Sequence, residues 1–130
     1  MIKKPLFKQT FFLLVIIGAS DFFANTLYLY WTVWWYDMLM HFISGVCVGM
    51  ATVLVIQYFS HEEIGFKELI KIGIISSFVV GILWEFFELY FEATTLADGV
   101  IYYRDTSSDL ILDVCGGILG VIYGHRFTTK

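Results

Sequence analysis

Apolar residues fill four long stretches of this chain, and short polar links separate them. Residues 38–59 form the clearest stretch, with no Asp, Glu, Lys or Arg among them. A helix needs roughly 20 mostly apolar residues to cross about 30 Å of hydrocarbon. A first span opens after Lys8 with Phe11-Phe12-Leu13-Leu14-Val15-Ile16-Ile17. A third runs from Leu69 to near Phe91, and a fourth from near Asp105 to His125. The links are Ser60-His61-Glu62-Glu63 and the stretch from Thr94 to Tyr103, where Asp98-Gly99 is a turn signal. The pattern predicts an all-α polytopic membrane protein. Its single membrane domain, 1–130, holds helices over about 8–29, 37–59, 69–92 and 105–125 in an antiparallel four-helix bundle.

Composition agrees. Of the 130 residues, 58% are hydrophobic and 15% charged, against roughly 25% charged in ordinary soluble domains. This excludes a disordered chain, a coiled coil and a disulfide scaffold. It also argues against a soluble domain, because a small core hides only ~60–70% of its surface. The opening Lys3, Lys4 and Lys8, the apolar run and Gly18-Ala19-Ser20 have the form of a signal peptide. Since the rest of the chain spans the membrane anyway, the segment is read as a first transmembrane helix.

Charge then sets the orientation. Seven of the eight basic residues fall on one side of a four-span topology: Lys3, Lys4, Lys8, Lys67, Lys71, Arg126 and Lys130. Arg104 is on the other. The positive-inside rule makes both termini cytoplasmic. Trp31, Trp34 and Trp35, with Tyr28, Tyr30 and Tyr36, sit at the outer end of the first hairpin, where an aromatic belt belongs.

The acids distribute the opposite way. Glu62, Glu63 and Glu68 lie in the cytoplasmic loop, and the other nine of twelve lie in the outer half. Several of those nine must enter the membrane, because residues 72–84 and 114–124 are too short to span alone. At about 1.5 Å per residue, Glu85 lies roughly 21 Å beyond Lys71, Asp113 roughly 18 Å from His125, and Asp21 roughly 20 Å beyond Lys8. Three helices are therefore expected to bring a carboxylate to one depth.

Residues three or four apart share a helix face. The second helix reads Asp37, His41, Gly45, Gly49; the third reads Gly73, Ser77, Gly81, Glu85, Glu88, Glu92. The fourth reads Asp105, Asp109, Asp113, Gly116 or Gly117, Gly120, Gly124. Small residues at this spacing let membrane helices approach closely. The inner halves are expected to pack tightly and the outer halves to open around converging polar side chains. Carboxylates with one imidazole suit Mg²⁺, Mn²⁺, Ca²⁺ or Zn²⁺. The candidate metal or proton site is His41, Glu85, Glu88, Asp109 and Asp113, with Asp21, Asp37, Asp105 and Arg104 as a secondary polar group. A shared-proton network and a purely structural network remain alternatives. Cys47 and Cys115 lie off these stripes, no phosphate loop is present, and no basic stripe suggests nucleic acid.

These residues also carry a resemblance. Asp37-Met-Leu-Met-His41-Phe42-Ile-Ser-Gly45, Trp84-Glu85-Phe-Phe-Glu88, and Asp105-Thr106-Ser-Ser-Asp109 through Asp113, Gly116-Gly117 and Gly120 resemble the motif series of the YjdF-type small bacterial membrane proteins. More loosely, the series is similar to the VanZ-like family associated with teicoplanin resistance. That family often has Gln after Glu in its middle block and an Arg near its last; Glu88 and Arg104 stand roughly there. The resemblance implies a multi-pass plasma-membrane protein, and for the VanZ-like family a role at the envelope, but no reaction. The leading expectation is a cation site opening to the outer face that handles a lipid or envelope-lipid head group. In that reading Glu85, Glu88, Asp109 and Asp113 hold the cation, His41 is a ligand or proton carrier and Arg104 an anion contact. The alternatives are a proton- or cation-coupled carrier, which at this size needs homo-oligomers, and a structural or regulatory subunit.

Overall fold

The computed structural model describes residues 4–60, 64–91, 93 and 95–128. Lys3, His61, Glu62, Glu63, Glu92, Thr94 and Lys130 of the reading above lie outside the described residues. The helices are α1 (Lys4–Thr26), α2 (Leu29–Thr32), α3 (Tyr36–Phe59), α4 (Phe66–Tyr90) and α5 (Val100–His125), with a 3₁₀ turn at Leu96–Asp98. All but the short α2 are long and apolar enough to cross a membrane.

Two boundaries differ from expectation. The first helix stops at Thr26 rather than near 29, because Tyr28 takes a left-handed φ of 56° and the chain restarts as α2. A bulky L residue resists that conformation, so the break is sharp. The last helix begins at Val100, before the expected 105. Thr95 accepts from the Ala97 amide and Gly99 turns at φ 60°, so the polar link is spent before Tyr102. These two residues complete the turn that Asp98-Gly99 signalled.

The order up, down, up, down follows the sequence, but the most extensive interface joins α3 and α5. These two run parallel: His41 faces Asp113, Gly49 faces Gly117, and Val53 faces Gly124. Glycine is the reason. A Cβ on Gly45 or Gly49 would strike the backbone at Asp113 or Gly117, and one on Gly120 the backbone at Val46. α4 lies antiparallel on α5, with Gly73 against Val121, Ser77 against Gly117 and Gly81 against Asp113. Gly124 receives the Val53 side chain. The small-residue stripes thus pack the helices, as their spacing predicted.

α1 rests mainly on α3, where Cys47 Sγ donates to the Thr10 carbonyl at 3.8 Å and Tyr36 Oη to the Ser20 carbonyl at 3.1 Å. One end of the bundle is an apolar core of Leu6, Met50, Val53, Leu54, Leu69 and Val121. Lys4, Lys8, Lys67, Lys71 and Arg126 sit on the helix ends there, where Phe66 packs on His125. The opposite end buries His41, Glu85, Asp109 and Asp113 instead. Phe11, Phe12, Phe22, Phe86 and Ile111 point outward. Apolar outside and polar inside is the arrangement that lipid, not water, stabilises.

Candidate metal centre

His41, in the second turn of α3, is the hub. Its Nδ1 lies 3.1 Å from Asp113 Oδ2. An ionised carboxylate only accepts, so Nδ1 donates, and in a neutral ring Nε2 would then carry the lone pair on the opposite edge. There Nε2 faces Asp37 Oδ1 at 3.8 Å and Asp109 Oδ2 at 3.9 Å, both beyond hydrogen-bond reach. Glu85 uses one oxygen to accept from Thr106 Oγ1 at 2.7 Å. Its Oε1, Asp109 Oδ1 and His41 Nε2 are buried without a hydrogen-bond partner. The residues themselves are only 6%, 2% and 5% exposed. Leaving one such atom unsatisfied costs about 1–3 kcal/mol, more when it is charged. Three such atoms belong to three neighbouring buried residues.

The wider constellation has the same character. His41, Glu85 and Asp109 each offer a ligand atom, all within 4.8 Å of one another. So do Asp37, His41 and Glu88, and so do Asp37, Asp105 and Asp109. Calcium–oxygen bonds are about 2.3–2.6 Å, so atoms this close fit around one hard cation.

Each expected residue has a definite place. The α4–α5 register sets Glu85 level with Asp109, its side chain accepting from Thr106, while Asp113 lies about one turn deeper, level with Gly81, beneath His41 rather than beside Glu85. Asp21 stands apart: it accepts from Tyr30 Oη at 2.7 Å. It still lines, with Tyr30, Asp37, His41, Trp84 and Asp113, a cavity of ≈ 90 Å³ between α1, α3 and α4. One water needs only ~10–15 Å³ of such space. Glu88 accepts from the Trp84 indole at 3.0 Å. Arg104 does not join the acids. It lines a different open groove, with Tyr103, Ser107 and Ser108, and forms no ion pair among the described residues.

Sequence reasoning missed the roles of Thr106 and Tyr30. Thr106 was legible as the residue after Asp105, on the acid side of α5. Tyr30 was absorbed into the aromatic belt, yet its hydroxyl ties α2 to α1. Burial and the Asp21 carboxylate push the Tyr30 phenol well above its ordinary value of 10.0. Below that value the phenol is neutral whether the chain is folded or unfolded, and the full contribution is present. Above it the unfolded phenol ionises first, so stability falls as pH rises. Thermal unfolding in detergent between about pH 9 and 11 is expected to show this decline in the wild type and a shallower one in Tyr30→Phe.

Comparison with curated proteins and with solved structures gives no match. A family model described as "Predicted membrane protein (DUF2238)" matches residues 5–130. With that match over nearly the whole length, and four helices able to cross a membrane, the chain belongs to the DUF2238 family of predicted membrane proteins, the YjdF-type family that its three motif blocks resemble.

Proposed function

We propose that this protein binds a divalent cation at its acidic end and uses it to hold the phosphate-bearing head group of a membrane or envelope lipid. The observation that carries this reading is His41, whose Nδ1 is engaged by Asp113 and whose unpartnered Nε2 lies close to Asp109 and Glu85, each with a buried oxygen that lacks a partner. A carboxylate behind the histidine and an open imidazole nitrogen in front is the arrangement of metal-binding histidines. A cation there would polarise a phosphate oxygen.

The lateral opening supports the lipid part. α1 packs on α3 and scarcely on α4, and the cavity lies in that gap, with Ile17 on one side and Val80 on the other. The excess of Lys and Arg at the opposite end supports an acidic end that faces the outer leaflet, in keeping with a plasma-membrane protein. The looser VanZ-like resemblance points to the same surface. A structural network is the second reading, favoured by the ties Thr106–Glu85 and Trp84–Glu88, which hold two acids without any ion.

Metal analysis of protein purified without chelator separates the two. Bound divalent metal is expected, with a rise in the thermal midpoint on adding Mn²⁺, Mg²⁺ or Ca²⁺ that Glu85→Gln and Asp109→Asn lose. In metal-loaded protein, bilayers containing a phosphomonoester lipid should raise the midpoint further than choline lipid, and more than inorganic phosphate alone. No bound metal and no response to divalents would leave the structural network standing.

A further inference from the structure

We infer that the centre holds two divalent cations bridged by Asp109, an inner one on His41, Glu85 and Asp109 and an outer one on Asp37, Asp105 and Asp109. This rests on the cation reading above and sets its stoichiometry and ligand chemistry.

Geometry limits the choices. Three ligand triads are close enough to act, but two of them need His41. Nδ1 is engaged by Asp113, so the ring offers one nitrogen and can serve one ion. The all-oxygen triad of Asp37, Asp105 and Asp109 is the one that can fill alongside either histidine triad. The inner ion takes His41, Glu85 and Asp109 because all three are buried, and His41 Nε2 and Glu85 Oε1 have no partner. Asp109 has an oxygen for each ion: Oδ2 lies 3.9 Å from His41 Nε2, and Oδ1 is buried and unbonded.

Charge points the same way. Asp37, Glu85, Glu88, Asp105, Asp109 and Asp113 gather around one imidazole, and Arg104 is not among them. One divalent ion offsets two of six formal negative charges; two offset four. Crowded carboxylates in a membrane interior are neutralised by protons or by cations, and a second cation is one way of doing so. The ligand sets also differ in kind. The inner one, with nitrogen and oxygen donors, suits Mn²⁺ or Zn²⁺, and the outer one, with oxygen alone, suits Mg²⁺, Ca²⁺ or Mn²⁺. Paired ions about 3.5–4 Å apart grip two oxygens of one phosphoryl group. The ligand class this suits is a phosphate ester or diphosphate, which offers two such oxygens.

Mn²⁺ fits both sets and reports on its neighbours. Equilibrium binding of Mn²⁺ to the full chain in lipid nanodiscs is expected to give two ions per chain with an exchange-coupled electron paramagnetic resonance spectrum. Asp105→Asn is expected to give one ion and an uncoupled signal. Glu85→Gln should weaken the inner ion and also abolish coupling. One ion per wild-type chain, or two without coupling, would overturn the pair while leaving the single-cation reading intact. Two coupled ions in Asp105→Asn would overturn the outer ligand set. No bound Mn²⁺ in the wild type would remove both readings together.

Discussion

Gly116→Ala is expected to lower the unfolding free energy by about 3 kcal/mol, while Gly18→Ala raises it by about 0.5–1 kcal/mol. The chemical change is the same in both, and both positions are in helices. Alanine should help wherever there is room, because it loses less backbone freedom on folding than glycine does. At Gly18, on α1, nothing lies within 4 Å of the new Cβ. At Gly116 the Cβ would strike the Phe42 carbonyl, with the Val46 nitrogen at 2.9 Å and the Gly45 carbonyl carbon at 3.1 Å. All three are backbone atoms of α3, so no side chain can swing aside. The helices must separate, and separation also pulls His41 away from Asp113. Thermal or denaturant unfolding of the two variants in one detergent measures the contrast. Equal behaviour would mean that α3 and α5 do not pack through their glycines.

How much of this was legible in the chain follows from what each signal depends on. The four spans were legible because lipid demands a length and a composition, and residues 38–59 meet both without exception. The small-residue stripes were legible because a four-residue spacing fixes a face. Which stripe meets which was not. Spacing along one helix says nothing about partners, and the parallel α3–α5 contact joins elements with α4 between them in sequence. The depth argument placed Glu85 and Asp113 at one level, and helix ends misjudged by a few residues were enough to hide the turn between them. The face of Arg104 was open to the same arithmetic as the acids: five positions from Asp109 put it roughly 140° around the helix. Function was assigned to Arg104 from the sign of its charge and its place in the motif series, and neither says which way a side chain turns.

Asp113→Asn is expected to weaken divalent binding by 10–100-fold, though Asp113 belongs to none of the three ligand triads. Its effect passes through His41. The Asp113 carboxylate can only accept, so it holds the proton on Nδ1 and leaves Nε2 open. An asparagine can instead present its amide NH₂ to Nδ1, which moves the ring proton to Nε2 and closes the ligand position. A loss of that size corresponds to about 1.4–2.7 kcal/mol of binding free energy. Gly81 tests the same link from the other side. A Cβ there would stand 2.5 Å from Asp113 Oδ2, the oxygen that holds His41, and 2.9 Å from Leu110 Cδ2. Gly81→Ala should therefore shift the carboxylate and lower Mn²⁺ affinity in the same direction, without altering a ligand. Binding isotherms for wild type, Asp113→Asn and Gly81→Ala, with Gly18→Ala as the control that touches nothing, separate this from general loosening of the bundle. If Asp113→Asn binds Mn²⁺ as tightly as the wild type, His41 is not held by Asp113. The helix-packing glycine and the buried acid would then be neighbours without a shared role. If Asp113→Asn and Gly81→Ala weaken binding and the control does not, the tight glycine packing and the polar end act as one device: close approach of α4 to α5 aims the carboxylate that aims the imidazole.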